Sequence, residues 1–152
     1  MKLPEWLSGK LRCWMFYFYA CYGGTGGRPE FVAADWSEVR LRLPFSWRTR
    51  NYVGTIFGGS MYGAVDPIYM LMLIRRLGPG FVVWDKSASI QFKKPGRGTL
   101  RARFLLPDEE LTSIRAALEN QRSLDRTYVV DLVDDSGTVC ASIEKIIYIR
   151  KR

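Results

Sequence analysis

The sequence NYVGTIFGGSMYGAVDPIYMLMLIRR occupies residues 51–76. Before the two arginines at its end, its only charged residue is Asp66, which Pro67 follows at once. The segment predicts a helix with apolar residues on nearly every side, so we expect other elements to cover that helix all round. A membrane span is the competing interpretation, but a glycine-rich start and an internal Asp-Pro pair fit poorly in lipid.

The limits of this helix follow from its glycines. Gly58 and Gly59 indicate its start, and the sequence Gly-Pro-Gly at 78–80 stops it after about Leu77. The first amides of a helix carry its positive end, where a developing oxyanion would be stabilised. The start of the helix is therefore a candidate half of a catalytic site.

The second half is centred on Asp66. Pro67 has no amide hydrogen for the carbonyl of Gly63, so we expect a kink that leaves polar backbone beside the carboxylate. A proline in a helix interior costs about 3 kcal/mol, and a buried carboxylate without a partner is also unfavourable. Two unfavourable choices side by side favour a site. A carboxylate that bonds the loosened backbone and only shapes the kink would also explain them.

The spacing of the two halves predicts an assembly. Asp66 follows Gly58 by eight residues, which separates them by about 12 Å along a helix axis. One acyl carbonyl cannot contact both in the same chain. We therefore expect a two-fold homodimer with antiparallel helices and composite sites at the interface, with a dimer of dimers left open.

The composition restricts the function. The chain has 152 residues, enough for one domain with a hydrophobic core. Its net charge of +8 favours anionic partners such as phosphorylated cofactors, nucleic acid or acidic lipid. It has no histidine, which excludes Ser-His-Asp and Cys-His mechanisms and argues against zinc, so we expect no metal. Cys13, Cys21 and Cys140 form no CxxC pair, which indicates reduced thiols and a cytoplasmic location.

The N-terminal segment is predicted to be separate from the main domain. Residues 4–22 predict a helix, and GGTGG at 23–27 predicts a flexible break. We therefore divide the chain into an N-terminal helix with its linker, 1–27, and a single domain, 28–152. The aromatic helix is expected to pack on that domain. The less favoured alternative is contact with a membrane surface through Trp6, Trp14 and Phe18.

The rest of the chain predicts strands and one polar helix. Strict alternation predicts a half-buried strand over 38–44, which Pro44 ends. The other predicted elements are a strand at 81–95, a strand at 96–107 after a turn at Pro95-Gly96, a helix at 108–122 with Asp108 as N-cap, and a hairpin at 127–152 that turns around 134–137. We expect two hairpin-linked pairs of strands in an α+β fold whose antiparallel sheet wraps the apolar helix.

With these residues, the chain resembles the hotdog-fold acyl-CoA thioesterases. Their signature is an Asn, a glycine-rich turn reading HGG and an acidic residue in the central helix. Here it is represented by Asn51, Gly54, the Phe-Gly-Gly of 57–59, and Asp66. The segments GTIFGGSMYGAVDP and VWDKSASIQFKKPGRG resemble more closely the branch called DUF4442, over roughly residues 36–150.

The resemblance implies a role for each matching residue. Asp66 corresponds to the catalytic acid, which activates water or attacks the thioester carbon. The Gly58 amide would hold the thioester oxygen, and Asn51 would help to place water or the carbonyl. Asp85 falls where some members have a serine that assists from the partner subunit. Ser87 is two residues further, and strand alternation predicts that it lies on the same face.

Three departures from the family pattern are evident, and the first is the pair Asp66-Pro67, which is not typical of the well-studied enzymes. Phe57 replaces the histidine before Gly-Gly, which removes a polar contact near the oxygen but not the amide. Asp85 adds a second carboxylate, which suits a general base and also an inactive pocket. We expect Phe57 and Gly59 to contact the substrate. The basic residues that could bind CoA phosphates, or else form a solvated rim, are Arg48, Arg50, Lys93, Lys94 and Arg97.

The sequence thus predicts a thioesterase that hydrolyses acyl-CoA or an acyl-carrier-protein thioester. CoA would enter as part of the substrate, and no other cofactor is expected. The alternative is a non-catalytic module that binds an acyl group or lipid, which Phe57 favours. Nucleic-acid binding is not expected, because no such motif is present and most aromatic residues lie in apolar runs.

Overall fold

The computed structural model describes residues 5–152, without the side chains of Glu5, Trp6 and Tyr17. The predicted helix start at residue 4 and the Trp6 side chain lie outside this part. The helices are α1 (Glu5–Phe18), α2 (Ala20–Gly23), α3 (Gly58–Val65), α4 (Ile68–Leu77) and α5 (Asp108–Asn120). The strands are β1 (Arg28–Val32), β2 (Glu38–Leu43), β3 (Phe81–Phe92), β4 (Leu100–Leu105), β5 (Ser123–Val133) and β6 (Val139–Lys151).

One antiparallel sheet in the order β1-β2-β4-β5-β6-β3 forms the frame of the molecule. The alternation of β2 is confirmed, because Val39, Leu41 and Leu43 are buried in the core. Helices α3 and α4 pack against the same core, and the α+β prediction is confirmed.

The predicted pairing of the strands at 81–95 and 96–107 is wrong. β3 pairs with β6 at one edge of the sheet, whereas β4 lies between β2 and β5. The turn between them does not close a hairpin, because the amides of Lys93 and Lys94 bond the carbonyl of Cys140, and Gly96 accepts from the amide of Ile56. The hairpin of β5 and β6 therefore lies between the two strands.

The central helix is broken at the predicted place. α3 ends at Val65 and α4 starts at Ile68, with Asp66 and Pro67 between them. Ile68, together with Met72 and Leu73, is fully buried, whereas Ile74 is exposed. The expectation of cover on every side therefore holds for most of α4 but not for its last turn.

The aromatic helix α1 packs on the domain, as expected. Phe16 enters the core, where its ring lies 5.2 Å from that of Tyr22. The Arg12 guanidinium donates to the carbonyl of Val32 in β1. Trp14 and Phe18 are exposed. Among the described helices, none is long and apolar enough to cross a membrane.

The glycine-rich segment 23–27 is packed and is not a flexible break. The Tyr22 hydroxyl, just before it, donates to the carbonyl of Ala64 in α3 at 2.8 Å. Gly27 is buried, and a Cβ there would lie 2.7 Å from the Cβ of Ala64. The segment has glycine because the backbone approaches α3 closely.

Two further features differ from the sequence predictions. Strand β1 contains Pro29 and has no clear alternation, so no residue pattern predicted it. An edge strand tolerates such a proline. Pro107, not Asp108, is the N-cap of α5, and it makes no side-chain cap bond. The Asp108 carboxylate instead pairs with the Arg76 guanidinium.

The close packing of Gly27 leads to a stability prediction. Gly27→Ala should lower the free energy of unfolding by about 1–3 kcal/mol, because α3 must shift to admit the methyl group. Urea unfolding measures this change. Gly98→Ala is the matched control, because a Cβ at Gly98 meets no atom within 4 Å. Equal effects of the two substitutions would contradict the packing role of Gly27.

Candidate active site

Asp66 lies at the break between α3 and α4. Its amide still bonds the carbonyl of Tyr62 at 2.9 Å, so α3 is regular up to this point. Its own carbonyl accepts a hydrogen bond from Lys145 Nζ at 2.8 Å. The break therefore leaves polar backbone at Asp66 itself, whereas the prediction named the carbonyl of Gly63, and a side chain from the sheet binds it.

Lys145 is the residue of this site that the sequence prediction missed. Its side chain is only 1% exposed, and its ammonium also donates to Asp66 Oδ1. A lysine is almost never fully buried unless it is paired. The signal was present in the alternation of β6, where Ile143, Lys145 and Ile147 are all buried and therefore share the core face.

The two oxygens of the Asp66 carboxylate have different surroundings. Oδ1 accepts from the Tyr62 hydroxyl at 2.7 Å and from Lys145. No hydrogen bond to Oδ2 occurs within residues 5–152, and the Asp66 side chain is 40% exposed. Burial of Tyr62, its bond to Asp66 and the charge of Asp85 raise the pKa of Tyr62, so its hydroxyl remains a donor. Asp66 thus has one fixed oxygen and one available oxygen.

Asp85 brings a second carboxylate to Lys145. Its Oδ1 lies 3.1 Å from Lys145 Nζ, and this oxygen is buried without a well-aligned hydrogen bond in the described part of the chain. Burial raises the pKa of Asp85, the charge of Lys145 lowers it, and the charge of Asp66 raises it further, with a net increase. The expected proximity of the two acids is present in one chain.

The prediction that Ser87 shares a face with Asp85 is wrong. A β-bulge interrupts β3 here, so that Asp85 pairs with Ile147 but Ser87 pairs with Ile146. Paired residues of antiparallel strands lie on the same face, and consecutive residues of β6 lie on opposite faces. Ser87 therefore faces away from the carboxylate cluster, because the extra residue reverses the alternation.

The other candidate half lies at the start of α3. The amide of Phe57 bonds the carbonyl of Thr49 at 2.7 Å, and the amides of Ser60 and Met61 bond that of Phe57. Gly58 and Gly59 are the first two residues of the helix, where amides have no intrahelical partner. Neither amide donates a hydrogen bond within the described part of the chain, so their binding of an oxyanion stays a prediction.

A groove of about 510 Å³ runs beside this helix start. The amide of Ile56 bonds the carbonyl of Gly96 at 2.8 Å and holds together the two loops that form the groove. Among the predicted site residues, those that line it are Asn51, Gly58, Lys93, Lys94 and Arg97. The fold thus places Lys93, Lys94 and Arg97 in the same groove as Gly58, whose amide is the predicted oxyanion donor.

Asn51 and the two arginines near it are placed differently from the expectation. The Asn51 side chain donates to the Thr55 hydroxyl and accepts from the Thr55 amide, so it closes its own loop. Arg48 lies over the ring of Trp47, and Arg50 forms a main-chain bridge with Ile56. Neither arginine is a lining residue of the groove.

Two exposed rings flank the glycines. A Cβ at Gly59 would lie 2.3 Å from the ring of Phe57, and one at Gly58 would lie 2.8 Å from the ring of Phe92. Both aromatic side chains are more than half exposed. The mouth of the groove is therefore apolar where the resemblance predicts a histidine.

The antiparallel sheet packed around a central helix, with an additional N-terminal helix, is a hotdog fold. Residues 9–149 match the model of the family described as Domain of unknown function (DUF4442), and the chain belongs to this family. None of the curated proteins compared with the chain matches it.

Solved structures share this fold at low sequence identity. A Pseudomonas aeruginosa protein of unknown function, called a probable thioesterase, has 20% identity and a TM-score of 0.80, with coverage of 100% of this chain and 99% of that one. A Haemophilus influenzae thioesterase has 13% identity and a TM-score of 0.66, with 99% and 93% coverage. The E. coli PaaI protein from the phenylacetic acid degradation operon has 13% identity and a TM-score of 0.62, with 97% and 94% coverage.

The raised pKa of Asp85 predicts a pH-dependent stability. The folded protein holds the Asp85 proton more tightly than the unfolded chain does. This contribution to stability is complete below the unfolded-state pKa of about 3.9 and is lost as the pH rises through the folded-state pKa. The asparagine of Asp85→Asn does not titrate. Between the unfolded-state and folded-state pKa of Asp85, the free energy of unfolding of the wild type should therefore fall relative to that of the variant, and at higher pH the difference should stay constant.

Urea unfolding of both proteins at a series of pH values measures this difference. Comparing how the free energy of unfolding of each protein changes with pH removes any constant effect of the asparagine side chain on packing. A difference in unfolding free energy that does not vary with pH would mean that Asp85 has the same pKa in the folded and unfolded states.

Proposed function

We propose that the protein is a thioesterase that hydrolyses an acyl thioester with Asp66 as general base. One observation carries this proposal. Tyr62 and Lys145 hold one oxygen of the Asp66 carboxylate, and the other oxygen is available at a partly exposed break in the central helix. Thioesterases among the similar solved structures support the class of reaction.

The chemistry that suits this arrangement is attack by water. The water oxygen bonds the thioester carbonyl carbon while its proton passes to Asp66 Oδ2, and the carbonyl π electrons move to oxygen. The carbon–sulfur bond then breaks, its electron pair leaves with sulfur, and the proton passes from Asp66 to the thiolate. The products are a carboxylic acid and a thiol.

The oxyanion would be bound by the Gly58 amide of a second copy of the chain. Within one chain, α3 separates Gly58 from Asp66 by about 12 Å, so one carbonyl cannot contact both. β3 lies at the edge of the sheet and is 12 residues long, with Trp84 and Phe92 exposed. Antiparallel pairing of two such edges is isologous and would set the helices side by side in opposite directions.

The carrier of the acyl group would lie along the groove beside Gly58. Lys93, Lys94 and Arg97 line this groove and are exposed, so they can bind the phosphates of CoA or of an acyl carrier protein's pantetheine arm. The chain's net charge of +8 favours the approach of either anionic carrier.

Two substitutions test the assigned roles. Asp66→Asn should lower kcat for an acyl-CoA about 100- to 10,000-fold, because it removes the base. Gly58→Pro should lower kcat about 100- to 1000-fold, because it removes one oxyanion donor. Proline is favoured as the first residue of a helix, and Phe57 before it is already extended. Its ring requires the exposed side chain of Phe92, which lies 2.8 Å from a Cβ at Gly58, to move aside. A panel of acyl thioesters of graded chain length provides the assay.

The controls separate chemistry from folding. Asp131→Asn removes an exposed carboxylate of β5 and should leave turnover unchanged. Circular dichroism and thermal unfolding check that each variant is folded. Wild-type turnover in folded Asp66→Asn would remove Asp66 from the mechanism.

A composite site makes a further prediction. Co-expression of Asp66→Asn and Gly58→Pro chains with two different affinity tags allows the mixed dimer to be purified. That dimer should regain about half of the wild-type turnover, because one of its two sites then has both an intact Asp66 and an intact Gly58. If each site lay within one chain, the mixed dimer would contain no intact site and would remain as inactive as its parents.

A second function, binding of an acyl group without hydrolysis, is favoured by the exposed rings of Phe57 and Phe92 at the groove. Native mass spectrometry and the thioester panel distinguish binding from hydrolysis. Co-purified lipid in native mass spectra, together with no turnover of any thioester in the panel, would establish the binding module and exclude the enzyme.

A further inference from the structure

We propose that Lys145 is a positioning residue that joins Asp66 and Asp85 into one coupled pair of carboxylates and turns Asp66 Oδ2 toward the substrate. This inference deepens the proposed thioesterase and rests on it for the role of Asp66. The geometry of the pair is independent of that function.

The position of Lys145 is the first support. The lysine lies on the core face of β6, between Ala88 of β3 and Tyr128 of β5. From there its ammonium contacts three oxygens: the main-chain and Oδ1 oxygens of Asp66 and the Oδ1 of Asp85. The two contacts with Asp66 are hydrogen bonds, and the contact with Asp85 is an ion pair at 3.1 Å.

The charges around Lys145 are the second support. The groups that face it are Tyr62 from α3, Asp66 from the helix break and Asp85 from β3. Tyr128, its neighbour on β5, directs its hydroxyl to Glu110 instead. One cation therefore serves two carboxylates, and their charges cannot both be neutralised. A change in the charge of either acid must alter the proton affinity of the other.

The main-chain contact is the third support. By binding the Asp66 carbonyl as well as its carboxylate, Lys145 fixes the backbone and side chain of the same residue. With Oδ1 also bonded by Tyr62, the carboxylate cannot rotate without loss of two hydrogen bonds. The orientation of Oδ2 at the exposed side of the break follows from these contacts.

The coupling can be measured without substrate. Carboxyl ¹³C signals of labelled aspartates are titrated by NMR in the wild type, Lys145→Met and Asp66→Asn. We expect the midpoint of Asp85 to move to higher pH in Lys145→Met, because a cation is lost, and to lower pH in Asp66→Asn, because an anion is lost. Lys86→Met, which removes an exposed lysine paired with Asp125, controls for charge alone and should leave Asp85 unchanged.

Removal of one partner from a buried pair can prevent folding. Asp66→Asn alone then still tests the coupling, and the double variant Lys145→Met/Asp66→Asn removes both partners. An Asp85 midpoint that is the same in the wild type and in every folded variant overturns the proposal.

Kinetics test the positioning role. In folded Lys145→Met, kcat should fall about 100-fold with little change in KM, because Asp66 remains but is no longer held in place. A loss confined to KM, or unchanged kcat, would contradict the inference. If the wild-type chain hydrolyses no thioester, the proposed function fails, but the NMR titration still decides whether Lys145 couples the two acids.

Discussion

The contact between the Lys145 ammonium and Asp66 fixes the rest of the site. A buried ammonium must be paired, and loss of one partner of such a pair typically costs about 3–5 kcal/mol. Here the partner is both the carboxylate and the carbonyl of Asp66, at the break between α3 and α4. The sheet and the central helix are therefore linked by a polar contact at this break.

The same contact serves the break at Pro67. The missing amide of Pro67 deprives the Gly63 carbonyl of its intrahelical donor, and the interruption of the helix also leaves the Asp66 carbonyl to a donor from outside it. Lys145 supplies that donor, so the buried lysine is paired at the break. The Asp66 carboxylate is held on one oxygen, whereas its second oxygen accepts no hydrogen bond in the described part of the chain.

Much of the fold could be predicted from local patterns, and the long-range arrangement could not. Alternation identified β2, and the apolar run with its Asp-Pro pair identified the broken helix, because both signals come from neighbouring residues. The strand order could not be read in this way, since the hairpin of β5 and β6 separates β3 from β4. In the candidate site, Asp66 and Gly58 were proposed from the helix alone. Lys145 was missed because it contacts Asp66 across 79 residues, and Ser87 was misplaced because a bulge has no signal in alternation.

Because the chain has no histidine, the proton affinities of its acidic side chains depend on the surroundings of each carboxylate. Two surface acids lose their protons readily. The pKa of Glu38 falls to about 2 because it bonds Arg103 and Arg40. The pKa of Asp134 is lowered by hydrogen bonds from Ser136 and Thr138. Asp85 differs, because burial and a neighbouring acid outweigh the effect of a shared lysine and raise its pKa. Two acids around one buried cation therefore give Asp85 a higher proton affinity than these surface acids have.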